Sequence, residues 1–227
     1  MDYSYLFNVV VLGDREVGKT SLVRSFLGRN FEPNYFPTIN RQTNQRKISI
    51  KKITISLFIL DLPGEACPKI FEGELYVNLN LAILMYDVTN RNSFNNIDKW
   101  HQLLVNKGWS KALRYKICPV CGQKLPIHWN FCPSCGSPLA VNIMKITDEE
   151  RSFDSHPIIY LVGNKVDLKN RKVSYEDGWW KAKMIAALSF FEISVKTGKN
   201  INKLFHSMIA DLLRMRVEEL RKEVLTI

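Results

Sequence analysis

Two short segments that lie far apart in the chain could together bind a nucleotide. The first, GDREVGKT at 13–20, fits the pattern G-x-x-x-x-G-K-[ST]. In this pattern Gly13 and Gly18 let backbone N–H groups point at phosphate oxygens, and Lys19 reaches the β- and γ-phosphates. The Thr20 hydroxyl can bind Mg²⁺. The segment predicts a nucleoside triphosphate site but does not select the base.

The second segment, GNKVDL at 163–168, predicts which base is bound. In an Asn-Lys-x-Asp quartet, the Asp167 carboxylate can accept hydrogen bonds from N1–H and the exocyclic amine of guanine. Adenine offers no such pair of donors. A site built for paired hydrogen bonds rejects a mismatched base strongly, because its own polar groups are left unsatisfied. The two segments together therefore predict binding of GTP.

The residues around the first segment have the pattern that a phosphate-binding loop requires. The apolar, β-branched run 6–12 is typical of a strand buried on both faces of a parallel sheet. Residues 21–28 have helical spacing and end at a glycine, a common helix stop. Strand, turn and helix in this order favour a true phosphate loop over a chance match.

Three further segments complete a resemblance to a known family. They are FEPNYFPTI at 31–39, DLPGE at 61–65 and EISVKTG at 192–198. With the first two segments, they resemble a small GTPase of the Ras superfamily, most closely its Rab-like members. The resemblance covers nearly the whole chain except about 108–156. It implies an α/β fold, the P-loop small G domain, and a switch that binds GTP or GDP and hydrolyses GTP.

The resemblance assigns roles to residues of the two switch loops. It implies that Thr38 ligates Mg²⁺ and contacts the γ-phosphate, and that Phe31 packs on the guanine. Asp61 would hold Mg²⁺ through water, and the Gly64 N–H would touch the γ-phosphate. Each residue alone could equally be a turn former or a buried loop residue, but five motifs in the right order favour the functional roles. Tyr35 belongs to the same predicted nucleotide site.

Further roles in the base loop are also implied by the resemblance. Ser194 would brace this loop, the Val195 N–H would meet the guanine O6, and Lys196 would pack nearby. Asn164 would support the loops, and the Lys165 stem would lie over the base plane. The remaining nucleotide-binding residues implied for the phosphate loop are Asp14, Arg15, Glu16, Val17 and Ser21.

The chain departs from the family pattern at residues expected to affect hydrolysis. Glu65 stands where the family has a water-orienting Gln, and Pro63 replaces the usual Ala. A carboxylate near the γ-phosphate adds repulsion and lacks the amide donor that positions water. Arg15 and Glu16 occupy positions where small residues are frequent. Arg15 could supply a cation in cis, or the bulky pair could block an activating partner. We expect slow hydrolysis.

A separate pattern predicts a metal site. Cys118 and Cys121 form one C-x-x-C pair and Cys132 and Cys135 another, with ten residues between the pairs. Four thiolates suit tetrahedral Zn²⁺, and the doubled CPxCG pattern resembles a small zinc ribbon. Disulfides or a redox pair are the alternatives. Structural disulfides are rare in the cytosol, where a GTP-dependent protein is expected, and two symmetric pairs are not a lone redox motif. Four-thiolate sites leave no open coordination position, so a structural role is predicted.

The zinc ribbon is predicted to interrupt the G domain. It lies between a helix that begins near Ser93 and the strand 157–163, a connection that is normally short. The sequence thus divides into a first G-domain segment, an insert and a second G-domain segment, at 1–110, 111–156 and 157–227. The insert is too small to bury a core of its own, so zinc should supply much of its folding free energy.

Composition limits the classes of partner. The net charge of +10 is spread as surpluses of three, two and five over the three predicted segments, without a basic stripe. A dispersed surplus disfavours nucleic-acid binding. No apolar run approaches the roughly 18 residues of a membrane span. The termini show no signal peptide, myristoylation glycine or prenylated cysteine. We expect a cytoplasmic protein without a lipid anchor, with effectors and regulators that bind the switch loops or the ribbon.

Periodicity predicts a six-stranded, mostly parallel sheet flanked by helices. A final amphipathic helix at about 200–223 should face the core. The adjacent Trp179 and Trp180 cannot share one helix face, so we expect one of them to be exposed. Strands are predicted near 6–12, 45–51, 53–60, 81–87, 157–163 and 189–193.

Overall fold

The structure of the protein is a computed structural model that describes eight strands and five helices. The described residues are 3–32, 38, 42–64, 79–105, 115–117, 120–121, 124–126, 132–135 and 157–225. The strands are β1 (Tyr3–Leu12), β2 (Gln42–Ile50), β3 (Ile53–Asp61), β4 (Leu79–Asp87), β5 (Tyr115–Ile117), β6 (Lys124–Pro126), β7 (Ile158–Asn164) and β8 (Ser189–Glu192). The helices are α1 (Lys19–Phe26), α2 (Arg91–Asn95), α3 (Ile97–Leu104), α4 (Tyr175–Met184) and α5 (Ile201–Leu225).

Six strands form one sheet in the order β2-β3-β1-β4-β7-β8. The β2–β3 pair is antiparallel, and every other neighbouring pair is parallel. This confirms the predicted six-stranded, mostly parallel sheet. β3 lies on one side of β1 and β4 on the other, so the strand order reverses at β1. The loop after β1 therefore opens at the switch point of the sheet, where α/β proteins bind ligands.

Successive side chains of a strand point to opposite faces of the sheet, and a hydrophobic core lies on each face. Val9 and Val11 pack into one core with apolar residues of α1 and α5. Val10 and Leu12 point to the opposite core, which contains residues of α2, α3 and α4. All four β1 side chains are fully buried, as expected for a strand covered on both faces. The central strand is therefore fixed from both sides, which holds its carboxyl end in place.

The segment after β4 differs from the single helix predicted from Ser93 to Asn106. The chain forms two helices, α2 and α3, which meet at Asn96. Asn90 caps α2 by accepting hydrogen bonds from the backbone N–H groups of Asn92 and Ser93. The Asn96 side chain makes no cap of α3 and instead contacts a residue far away in sequence. Local periodicity cannot report such a contact.

The last helix confirms its predicted amphipathic pattern. Residues at i, i+3 and i+4 spacing, among them Leu204, Met208 and Leu212, are buried against the sheet. Trp179 and Trp180 of α4 are both exposed, with their rings 4.8 Å apart and nearly perpendicular. Within the described part of the chain, no helix is both long enough and apolar enough to cross a bilayer.

Candidate nucleotide site and metal cluster

Residues of the candidate site lie at or just after the carboxyl ends of five parallel strands. The phosphate loop follows β1, and Asp61 ends β3. Asp87 ends β4, Asn164 ends β7, and Ser194 lies two residues after β8. Because these ends share one edge of the sheet, the topology brings together residues as far apart in sequence as Gly13 and Ser194.

The phosphate loop and the base motif are in direct contact. Asn164 Nδ2 donates to the backbone oxygen of Val17 at 2.8 Å. A Cβ atom added to Gly18 would lie 2.4 Å from Asn164 Nδ2, and Gly18 has φ +100°. Any side chain at Gly18 would therefore separate the two motifs. This close approach explains why the second glycine is required here.

The lysine of the phosphate loop is fixed by a hydrogen bond within the loop. Lys19 is buried, and its Nζ donates to the backbone oxygen of Asp14 at 2.7 Å. Burial lowers the pKa of Lys19 to about 8, although the nearby charges of Asp61 and Asp14 act in the opposite direction. Phosphate oxygens would favour the charged form of the ammonium group further.

One non-glycine residue of the phosphate loop adopts a backbone conformation that favours glycine. Glu16 has φ +62°, in the left-handed region. The folded loop holds this conformation although the residue is not a glycine, and such local strain is frequent at functional sites. The neighbouring Arg15 is exposed at the mouth of the site.

Three oxygen-bearing residues converge near Lys19 in a way that fits a divalent cation. Thr20 Oγ1 and Thr38 Oγ1 are 2.8 Å apart. Two neighbouring ligands of octahedral Mg²⁺ would be about 3 Å apart. Thr20 also hydrogen-bonds the Asp61 carboxylate, whose pKa is raised by burial. Among the described residues, the buried Asp61 Oδ1 has no hydrogen-bond partner, and water bound to a cation would supply one. The donor set fits Mg²⁺.

The base motif is braced by hydrogen bonds from the loop after β8. Ser194 Oγ donates to Asp167 Oδ1 at 2.6 Å, and the Thr197 N–H donates to Ser194 Oγ at 3.1 Å. Ser194 is fully buried, whereas Asp167 is exposed at the cavity. The carboxylate is therefore oriented from behind while it faces the space where a base would bind.

Two residues of the base site make contacts that were not predicted from the sequence. Lys165 Nζ pairs with Asp87 Oδ2 at 2.7 Å, and Lys165 has φ +68°. The Val195 N–H donates to Asn164 Oδ1 at 3.1 Å. In this geometry the N–H links the two loops, and its contact with guanine O6 remains a prediction. The role of Asp87 was not predicted, because an aspartate after an apolar strand has no distinctive spacing.

A cavity of about 270 Å³ lies between these loops. Gly13, Asp14, Val17, Asp61 and Ser194 do not line it, although Val17 and Ser194 bond residues that do. The predicted residues that line it are Arg15, Glu16, Gly18, Lys19, Thr20, Ser21, Phe31, Thr38, Gly64, Asn164, Lys165, Asp167, Val195 and Lys196. Four further residues that were not predicted also line it, namely Arg24, Asn30, Glu32 and Leu168.

The missed residues have physical explanations. Arg24 lies one helical turn after Thr20 on α1, so it faces the same side of the helix. Its guanidinium forms an ion pair with Glu32. The spacing from Thr20 to Arg24 could have indicated this position, but the partner at 32 depends on how the chain returns after α1.

The second switch begins against the phosphate loop. A Cβ atom added to Gly64 would lie 2.3 Å from the Arg15 backbone nitrogen. No side chain other than hydrogen fits at Gly64 without moving the loop. Two predicted site residues, Glu65 and Tyr35, lie outside the described residues.

A second site is formed by sulfur atoms. The Sγ atoms of Cys121, Cys132 and Cys135 lie within 4.8 Å of one another. The Cys121 and Cys132 sulfurs are 3.5 Å apart, much longer than the roughly 2.05 Å of a disulfide bond. A cluster of this size suits thiolates around one zinc ion. The fourth predicted ligand, Cys118, lies outside the described residues.

The fold and the site together define a P-loop nucleotide-binding protein. Comparison with known families gives a narrower assignment, because the sequence model of the Ras family matches residues 8–125 and 140–214. The chain belongs to the Ras family and has the domain of a small GTPase-type nucleotide-binding switch. A zinc-ribbon domain matches residues 117–139. This match and the three-cysteine cluster indicate that the ribbon binds zinc.

Proposed function

We propose that the protein is a guanine-nucleotide switch that binds GTP and GDP with Mg²⁺ and hydrolyses GTP slowly. One observation carries this proposal. A single cavity is lined both by Lys19 and Thr20 of the phosphate loop and by Asp167 of the base motif. Its two chemistries match the two ends of a guanine nucleotide: donors and a cation for phosphates, and a braced carboxylate for the base. The proposal includes the Rab-like resemblance and the nucleotide contacts predicted from the sequence.

The proposed magnesium ligands can be separated by nucleotide state. Thr20 would ligate Mg²⁺ with either nucleotide, whereas Thr38 would do so only with GTP. Thr20→Ala is expected to weaken both complexes about tenfold, the size of one lost contact to a charged group. Thr38→Ala, the matched control, should weaken binding of a non-hydrolysable GTP analogue and leave GDP binding unchanged. Titrations with fluorescent nucleotides measure the affinities of both variants. If bound GDP is released at the same rate with and without EDTA, the assigned metal site is wrong.

The proposed hydrolysis rate depends on the charge at position 65. A carboxylate there would oppose the negative charge that the γ-phosphate oxygens carry in the transition state, and most of the catalysis in such sites is electrostatic. Pro63 would further restrict a loop that must move. Because Gly64 abuts the Arg15 backbone, the Arg15 side chain also starts beside the second switch. These features support slow turnover and a persistent GTP state.

Single-turnover hydrolysis tests this part of the proposal. Glu65→Gln is expected to raise the rate about tenfold or more, because it removes the repulsion and restores an amide donor. Arg15→Gly in the same background separates an obstruction by Arg15 from the effect of Glu65. If the wild type hydrolyses GTP rapidly and Arg15→Ala abolishes this activity, Arg15 is instead a catalytic cation in cis.

A second candidate function is a GTP-bound scaffold with negligible hydrolysis that presents the zinc ribbon to a partner protein. The cluster of three sulfurs favours it, since Cys118 as the fourth ligand would leave the metal no open position for chemistry. In this proposal 111–156 is an insert between two G-domain segments, 1–110 and 157–227. The protein would act in the cytoplasm. The rate of phosphate release from bound GTP distinguishes the two candidates.

A further inference from the structure

The phosphate loop contains a carboxylate in the segment that would surround anionic phosphates. Asp14 accepts two hydrogen bonds through its side chain, one on each oxygen. Asn96 Nδ2 donates to Oδ2 at 2.7 Å, and Trp100 Nε1 donates to Oδ1 at 2.8 Å. The Asp14 backbone oxygen also accepts from Lys19. The residue is thus fixed by α3 on its side chain and by the loop lysine on its backbone.

The two donors lie on one face of α3, because Asn96 and Trp100 are four residues apart. Trp100 is 2% exposed, and its indole N–H is satisfied by Asp14. Asn96 stands at the N-cap position of α3, where an asparagine side chain ordinarily accepts from the helix backbone. Here it makes no cap bond and donates to Asp14 instead. Helix α3 therefore lacks a side-chain N-cap bond from Asn96, and the phosphate loop has a long-range hydrogen bond from that side chain.

The hydrogen bonds from α3 to the Asp14 carboxylate matter for phosphate binding. A free carboxylate in the loop would repel phosphate oxygens and compete with them for Lys19. Two neutral donors of α3 hydrogen-bond the Asp14 carboxylate and hold it against the helix. An acidic residue is thereby compatible with an anion-binding loop. The same contact links the loop to a helix packed in the core.

We propose that Asn96 and Trp100 are positioning residues that hold the phosphate loop in its nucleotide-retaining conformation through Asp14. The inference rests on the proposed function, namely that this loop binds a guanine nucleotide. Loss of either donor leaves the Asp14 carboxylate partly unsatisfied within the phosphate loop. Bound GDP should then dissociate faster.

The first test is the rate at which fluorescent GDP leaves the full-length protein in excess unlabelled GDP. Trp100→Phe keeps an aromatic ring but removes the N–H, and it should raise this rate about tenfold. Tyr160→Phe is the matched control. It removes a buried hydroxyl that bonds Ser207 and Asp211 on α5, remote from the loop in sequence. The control should lower the melting temperature without changing the dissociation rate.

A rescue experiment separates positioning from general destabilisation. Asn96→Asp places two carboxylates against each other and should raise the dissociation rate about tenfold or more. Adding Asp14→Asn should restore a rate within about threefold of wild type, since the new amide can donate to the carboxylate at 96 while it accepts from Trp100. This rescue holds even if Trp100→Phe folds poorly.

The outcomes distinguish this inference from the proposed function. Wild-type protein that retains no GDP would overturn both. If wild-type protein binds GDP but Asn96→Asp leaves the rate unchanged, or if the double variant is no slower than Asn96→Asp, the positioning role is wrong and the proposed function stands.

Discussion

Replacing Asp167 with asparagine is expected to weaken GDP and GTP binding about a hundredfold or more. One of the two acceptors that face the base becomes an amide donor, which meets the N–H groups of guanine instead of accepting from them. The other oxygen can still accept from Ser194, so the loop itself should stay in place. Competition against a fluorescent guanine nucleotide measures the loss.

A change of base provides the internal control for Asp167→Asn. Xanthine has a carbonyl where guanine has its exocyclic amine, so the new amide donor can pair with it. The variant should therefore bind xanthosine diphosphate better than GDP. Asp98→Asn is the matched surface control, since Asp98 is an exposed carboxylate that pairs with Lys181. Equal losses in the two variants, or unchanged GDP affinity in Asp167→Asn, would rule out the assigned base contact.

Removal of one zinc ligand is expected to abolish metal binding and unfold the ribbon. Cys132→Ser replaces the most buried sulfur of the cluster with a weaker ligand. Structural zinc supplies about 10–16 kcal/mol to small zinc-finger peptides, so the ribbon should not fold without it. Elemental analysis should show one zinc per chain in the wild type and almost none in the variant. Cys67→Ser, outside the two C-x-x-C pairs, is the control and should retain zinc.

The same variant tests how far the ribbon is independent of the nucleotide site. GDP affinity of Cys132→Ser should stay within about twofold of wild type, because no sulfur of the cluster lines the nucleotide cavity. If carefully purified wild-type protein contains no zinc, the zinc assignment is wrong. A large fall in GDP affinity would show that the two sites are coupled.

The nucleotide site could be predicted from sequence wherever its chemistry depends on local spacing. Gly18, Lys19 and Thr20 lie within three positions of one another, so the loop pattern places them together before the fold is known. Apolar runs likewise predicted the strands, since their burial on both faces leaves a continuous signal. The loops at the carboxyl ends of those strands then had to meet at one edge of the sheet.

Contacts that depend on tertiary geometry could not be predicted. Asp14 meets Asn96 and Trp100 across more than 80 positions, and an Asn within a helical pattern gives no sign of its partner. The break between α2 and α3 was missed for the same reason. The pairing of Lys165 with Asp87 depends on the register of β4 against β7.

The nucleotide bound to purified protein tests the central claim most directly. The protein is to be isolated in Mg²⁺ without added nucleotide, denatured, and its released nucleotides separated and quantified. We predict close to one guanine nucleotide per chain, with GTP as a substantial fraction of it. Adenine nucleotide in place of guanine, or protein that binds ADP as tightly as GDP after stripping and reloading, would contradict it.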